Sequence, residues 1–301
     1  MRIGLIDMDG HNFINLPLAK LSAWHKQQGD DVSWYEPLYG GWYDRVYISK
    51  VFTFTPDYQY PINADEIIKG GTGYYYPDGG LELPQEVEHI YPDYDLYGVS
   101  DTAYGFLTRG CPRGCEFCIV ASKEGRVSRK VADLTEFWRG QKLIKLLDPN
   151  LLACRDHLEL LQQLADSGAW VDFTQGLDIR LTNEDNIRLL DKLKIKMLHF
   201  AWDNPGQDLT ADFERFNRLS KLKDYRKRGV YVLTNFNSTM DEDLYRIYTL
   251  RDLGYNPYVM IYDKDHAPKQ IRRLQRWANN KIIFRSGSAD RFEDYGTGGD
   301  R

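Results

Sequence analysis

The chain has 301 residues, with 39 Lys and Arg against 44 Asp and Glu and a formal net charge of −5. That length allows one large α/β domain, or a small domain followed by a medium one. A hydrophobic content of 42% beside 28% charged residues is ordinary for a globular chain, and no run approaches the ~18 consecutive apolar residues of a membrane span. No membrane partner is expected. The charge is uneven: residues 1–100 hold 6 basic and 15 acidic side chains, a net of −9, whereas the remainder hold 33 and 29, a net of +4. The basic excess is spread over helical stretches such as RFNRLSKLKDYRKR and KQIRRLQRWANNK. A solvated helix face explains these at least as well as nucleic-acid contact, so a nucleic-acid partner is not indicated. Four cysteines in a long chain whose start carries no apolar signal segment point to thiols or metal ligands in a reducing cytoplasm.

Residues 1–37 read as strand, loop, helix, turn and strand. Ile3, Leu5 and Ile6 form a short apolar run, and Leu18, Leu21 and Trp24 give Leu16–Gln28 helical spacing with Gly29 as its cap. A further strand is expected in DRVYISKVF and a third ending near Gly70–Gly71. Residues 1–75 are therefore expected to form a small parallel α/β domain of Rossmann type. Residues 76–103, rich in Tyr, Pro, Gly and acids, read as a connecting segment. Tyr is unusually common, at 21 residues with a run at Tyr74–Tyr76, and suits half-buried loops or stacking on a flat substrate.

From Tyr104 the pattern is strand then helix, repeated six times. The strands are expected in YGFLTRG, LIKLLDP, WVDFTQGLDI, KMLHFAWD, GVYVLTNF and PYVMIYD, with helices such as HLELLQQLADSG, NEDNIRLLDKLK and DEDLYRIYTLRDLG between them. Such alternation implies a parallel sheet with helices outside, of six units rather than the eight of a closed barrel. This domain is placed at 104–285, closed by a helix and strand in RRLQRWANNKIIF, with a polar tail over 286–301.

Three of the four cysteines, Cys111, Cys115 and Cys118, lie in TRGCPRGCEFCIV. The CxxxCxxC spacing puts three thiolates on one short loop, able to grip three corners of a cubic iron–sulfur cluster and leave one iron open. Structural zinc wants four N or S ligands, and no nearby His completes a set, His89 and His157 being far off in sequence. A disulfide framework belongs to short secreted chains. Cys154 reads as a helix-packing thiol. Ligands of parallel α/β barrels gather at strand C-terminal ends. The polar residues there are Asp148 and Asn150, Gln175, Asp178 and Arg180, Asp203 and Asn204, Asn235 and Asn237, and Asp263.

The cysteine string, with Phe117 before the third Cys and the TRGCP lead-in, resembles the radical S-adenosylmethionine (radical SAM) superfamily. The resemblance implies a laterally open partial (β/α)6 barrel and a 4Fe–4S cluster whose metal ligands are Cys111, Cys115 and Cys118. It also implies S-adenosylmethionine on the open iron, with adenine near Phe117. The expected activity is reductive cleavage to a 5′-deoxyadenosyl radical that abstracts hydrogen from a substrate left unassigned, fed by an electron donor such as flavodoxin or ferredoxin. Gln175 and Arg180, in QGLDIR, match a strand signature of relatives with an N-terminal cobalamin-type domain. LLDPN stands where the family has a GGE-type contact, so Asp148 is the candidate there. Asp203 and Asn235 complete the candidate cofactor contacts, and no catalytic residue is named.

The N-terminal module resembles a shortened cobalamin-binding domain, whose relatives carry D-x-H-x-x-G, a Ser and a Gly pair. Asp9 and His11 fit that start, with His11 as cobalt ligand and Asp9 orienting it. Ile14, however, replaces the Gly, and Ser49 and Gly70–Gly71 follow at shorter gaps. A branched side chain obstructs the close backbone approach that the cobalamin tail needs, so a scaffold is favoured over bound cobalamin. Bound cobalamin would imply a methyltransferase. From other classes, an iron–sulfur electron carrier or redox sensor is disfavoured by the low cysteine count, and a binding module with a degenerate barrel stands third. The RNA methylthiotransferase branch is weakened because no basic β-rich domain follows residue 285 and no N-terminal cysteines supply a second cluster.

Overall fold

The computed structural model describes residues 1–285 and 290–296. Part of the polar tail expected over 286–301 thus lies outside the described residues. The chain divides into two compact units, Met1–Asp156 and His157–Arg301. Both are mixed α/β with parallel strands, as the alternation of apolar runs and amphipathic stretches predicts.

The first unit contains β1 (Arg2–Asp7), α1 (Leu16–Gln27), β2 (Asp31–Trp34), β3 (Tyr43–Ser49), β4 (Ala64–Gly70), α2 (Gln85–Glu88), β5 (Thr102–Gly105), β6 (Thr108–Arg109), α3 (Val120–Lys123), β7 (Arg129–Lys130) and β8 (Leu143–Leu146). Strands β1–β4 form a parallel sheet in the order β2-β1-β3-β4. Helix α1 starts where the Asn15 side chain accepts from Leu18 N–H, with Pro17 in the first turn, where a missing N–H costs nothing. Beyond its end Gly29 takes φ +82°, a conformation with little steric cost only for glycine. Ile3 and Leu5 pack with Leu18, Leu21 and Val87 on one side of the sheet. Ile6, Val46 and Ile48 pack on the other with Tyr35 and Tyr43, closed by loop residues Tyr58, Ile62 and Tyr74. β5 and β8 pair in parallel, Ala103 opposite Ile144, and β6 and β7 form a short antiparallel ladder.

The second unit contains α4 (His157–Ser167), β9 (Trp170–Leu177), α5 (Glu184–Leu190), β10 (Lys194–Ala201), α6 (Thr210–Leu219), β11 (Arg228–Thr234), α7 (Met240–Asp252), β12 (Asn256–Ile261), α8 (Lys269–Asn279) and α9 (Lys281–Arg285). Its four strands are parallel, ordered β12-β11-β10-β9. Val171, Phe173, Leu198, Phe200, Val230, Val232 and Val259 are buried at alternate positions along them. Phe213 and Phe216 of α6 meet Phe200 edge-on at 6.0 and 5.0 Å, and α7 and α8 contact β11 and β12. Capping boxes at Asn183 and Thr239 fix the starts of α5 and α7.

The expected closing strand in KIIF is instead the helix α9. Asn280 Oδ1 accepts the N–H groups of Ile282 and Ile283, at 3.1 and 3.2 Å, which starts a helical turn. Phe284 is then the buried residue, 4.8 Å from Trp277, while Ile282 is exposed. Side-chain capping and one inward aromatic outweigh the β preference of two isoleucines. Phe292, within the expected polar tail, is buried beside Trp277. Among the described residues, no helix is long and apolar enough to cross a membrane.

Candidate functional site

The cysteine loop of the first unit is held at both ends. The pairing Thr108↔Lys130 and Arg109↔Arg129 closes residues 110–128 into a tethered excursion. Gly110 opens it at φ +88°, and a Cβ there would lie 2.2 Å from the Val127 carbonyl oxygen, so the two backbones touch in a way only glycine permits. Glu124 accepts from Gly110 N–H at 3.2 Å and from the Arg109 guanidinium at 3.1 Å, while Cys111 N–H donates to Gly125 O at 3.1 Å. Within the loop, Cys118 N–H donates to Cys115 O at 2.9 Å, folding the last two cysteines into one turn. Cys115 is exposed, Cys111 and Cys118 are half-buried, as is Phe117, and Cys154 is buried.

Two residues after β8 support this loop. Asp148, 5% exposed, accepts from Leu107 N–H, Thr108 N–H and Thr108 Oγ1 at 3.2, 2.5 and 2.7 Å. Burial pushes its carboxyl up to about 6, against the pull of those hydrogen bonds. Its oxygens are thus turned onto the residues that lead into Cys111. Asn150, 4% exposed, donates from Nδ2 to Cys111 Sγ at 3.5 Å, and its Oδ1 is buried with no hydrogen-bond partner among the described residues. That amide contact has no signature in the sequence beyond a polar residue following a strand.

The donor set of the loop is three sulfurs, the chemistry of an iron–sulfur cluster with one iron left for another ligand. Among the described residues no group of three or more His, Cys, Asp or Glu side chains is placed to hold a metal ion. The three thiols on one tethered loop fit such a cluster in donor chemistry.

In the second unit Gln175 is exposed on β9. Asp178 caps the turn Ile179–Leu181 and accepts from Arg180 Nε at 2.7 Å, and Arg180 Nη1 reaches Gln207 Oε1 at 2.7 Å. Asp203 accepts from Leu233 N–H at 3.1 Å, and burial pushes its carboxyl up to about 6, partly opposed by Arg246 and Arg180. Buried Arg246 joins the ends of β10 and β11 by donating to Trp202 O, Asp203 O and Leu233 O, and it pairs with buried Asp243. Asn235 donates to Tyr262 O at 2.8 Å. Among the described residues the non-glycine positive-φ positions are Asn235, Asn237 and Asp263, all just past β11 and β12. Backbone strain of this kind gathers at functional rims.

The sheet has a second feature that reading strand ends missed. The face opposite its apolar side carries Asp172 and Thr174 on β9, His199 on β10, Tyr231 on β11 and Tyr258 on β12. His199 and Tyr231 stack at 4.8 Å and 7°, and Tyr258 meets Tyr231 edge-on at 6.0 Å. The signal was the alternation itself, since fully buried parallel strands read as continuous apolar runs.

In the N-terminal sheet, the Asp9 carboxylate accepts from Val51 N–H at 2.6 Å, Phe52 N–H at 3.4 Å and Thr55 Oγ1 at 2.5 Å. His11 is exposed and stacks on Trp34 at 3.9 Å. Ser49 accepts from Asn15 Nδ2 at 2.8 Å, and a Cβ on Gly71 would come 2.3 Å from the Lys50 carbonyl oxygen.

No protein-family model matches this chain, and no curated protein matches it at a significant level.

Proposed function

We propose that this chain is a radical SAM enzyme of unassigned substrate, with Cys111, Cys115 and Cys118 as the protein ligands of a 4Fe–4S cluster. The observation that carries this reading is the tethered loop, which presents three thiols within eight residues under a buried amide donor. The succession of β5, β8 and β9–β12 with their helices supports reading these strands as the six units of a partial (β/α)6 barrel after a small Rossmann-like domain. When bound, the cluster and S-adenosylmethionine supply reductive cleavage of the sulfonium to a hydrogen-abstracting 5′-deoxyadenosyl radical, with electrons from a flavodoxin- or ferredoxin-type donor.

The remaining work falls to the chain. Asp148 fixes Thr108 and hence the direction in which the loop leaves β6. The N–H···S bond from Asn150 withdraws charge from Cys111, the kind of contact that tunes a cluster's potential. Phe117 presents a half-buried ring between two ligands. The polar residues at the ends of β9–β11 remain candidates for orienting the cofactor and substrate.

Anaerobic reconstitution tests the reading. About four irons and four sulfides per chain are expected, lost on Cys111→Ala, Cys115→Ala or Cys118→Ala and kept on Cys154→Ala. Added S-adenosylmethionine should alter the electron paramagnetic resonance spectrum of the reduced cluster and release 5′-deoxyadenosine slowly. A cluster that survives all three replacements sinks the assignment. An intact cluster blind to S-adenosylmethionine makes the chain an electron carrier.

A further inference from the structure

Parallel sheets of βα units are normally covered on both faces. In the second unit the apolar face lies under helices, whereas the other carries an ordered polar and aromatic array. Three rings, from His199, Tyr231 and Tyr258, run side by side across β10, β11 and β12. The first stack depends on a glycine: a Cβ on Gly229 would lie 2.6 Å from His199 Cδ2, so only glycine lets that imidazole lie over β11. Beside the rings, β9 bulges. Its register jumps from Phe173, opposite Leu198, to Leu177, opposite Phe200, with Gly176 at φ +98°. Bulges re-aim side chains next to functional sites.

The polar groups of this face are mostly acceptors. His199 Nδ1 lies 3.1 Å from the Phe173 carbonyl, which can only accept, so Nδ1 carries the proton. Burial lowers the imidazole's affinity for a second proton, which leaves Nε2 an acceptor. Tyr231 spends its O–H on Thr174 O at 2.8 Å. The Asp172 carboxylate acts electrostatically on both His199 and Tyr231. Thr174 Oγ1 is enclosed, with no hydrogen-bond partner among the described residues.

Flat rings beside an acceptor-rich edge complement one kind of ligand. We propose that this face is a recognition site for a flat heteroaromatic ring bearing N–H donors, such as an aminated purine or pyrimidine, stacked on the parallel His199–Tyr231 pair beside the edge-on ring of Tyr258, with its amine toward Asp172 and Thr174. Its identification as the substrate site rests on the radical SAM reading; binding itself does not.

The test uses the full reconstituted chain and 2-aminopurine riboside, whose fluorescence falls on stacking, titrated with and without saturating S-adenosylmethionine. Saturable quenching under both conditions is expected. Purine riboside, which lacks the amine, should compete about tenfold more weakly or worse, and Asp172→Asn and Thr174→Val should each loosen the probe by about fivefold or more. Circular dichroism monitors folding. Should Asp172→Asn fail to fold, Thr174→Val, a near-isosteric loss of one hydroxyl, carries the test. Absence of saturation, affinities unchanged in the folded variants, or displacement of the probe by S-adenosylmethionine overturns the proposal. Quenching that persists in Cys111→Ala when the wild type releases no 5′-deoxyadenosine keeps the recognition site and discards the radical SAM reading. Release of 5′-deoxyadenosine with no quenching does the reverse.

Discussion

The parallel sheet β1–β4 and the parallel strands β9–β12 use their polar residues in opposite ways. Around β1–β4, the residues that look most functional in sequence are occupied internally: Asp9 by three donors of residues 51–55, and Ser49 by Asn15. Around β9–β12, among the described residues, Asp203 accepts from the single donor Leu233 N–H and Thr174 Oγ1 has no hydrogen-bond partner. A polar group that the fold has satisfied is structural work already done. One left under-satisfied in a partly enclosed place costs stability unless something else completes it. On the proposed function the first sheet would serve as a scaffold, and the strands β9–β12 would offer the ligand site.

The sharpest way to break that contrast is through pH. Asp203 titrates near 6 in the folded chain against 3.8 for the free group, because burial outweighs its one backbone donor and the nearby Arg246 and Arg180. The folded state then holds a proton that the unfolded state has released. The stabilisation is present below about pH 4 and is lost as pH rises through about 6, a swing of up to ~3 kcal/mol from this group. Asp148 contributes in the same direction for the same reason. Urea unfolding between pH 4 and 7 should show stability falling as pH rises. Asp203→Asn, which keeps an acceptor for Leu233 N–H, should flatten the curve by roughly half. A wild-type curve that rises over this range removes the claim that Asp203 is under-satisfied.

Asp9 gives the opposite expectation. Three donors converge on its carboxylate, and they tie the loop after β3 back to the end of β1. Asp9→Ala should cost about 1–3 kcal/mol in urea unfolding, by leaving backbone N–H groups of that loop without their acceptor. It should leave 2-aminopurine riboside binding unchanged. If stability holds and added hydroxocobalamin binds stoichiometrically, with a spectrum that shifts on His11→Ala, the first sheet is a ligand site after all and the contrast fails.

What the sequence disclosed follows from which signals are local. Apolar runs bounded by turns located most strands of both units, whereas the two-residue strands β6 and β7 carry no such run. The CxxxCxxC loop was legible because its chemistry lies within eight residues. Asn150's contact with Cys111 was not, since it joins positions 39 residues apart and depends on the loop's return path. Nor was the role of Asp148 in holding Thr108, for the same reason. The aromatic row was present as alternation in WVDFT, MLHF, VYVL and PYVM, but its meaning depends on parallel register across three strands. That register places His199 opposite Gly229 and Tyr231 opposite Tyr258. KIIF misled because two isoleucines favour a strand, while the Asn280 side chain favours a helical turn.

Tyr258 carries the smallest expected change in stability and the cleanest separation of the two sheets. It lies on the edge strand β12, 46% exposed, edge-on to Tyr231. Tyr258→Leu keeps an apolar side chain on the strand and gives up one partly solvated ring pair and the Lys281 ammonium 6.0 Å from the ring centre. The unfolding free energy should therefore move by no more than about 0.5 kcal/mol, as for most surface substitutions. If the ring walls the ligand site edge-on, the same change should weaken 2-aminopurine riboside about threefold or more, since an edge-to-face aromatic pair contributes roughly 0.5–1.5 kcal/mol. Lost affinity at constant stability is the signature of a surface whose partner is a ligand. A destabilisation above about 1.5 kcal/mol with affinity intact would show that the rings hold the sheet together instead, and the two sheets would then differ only in sequence.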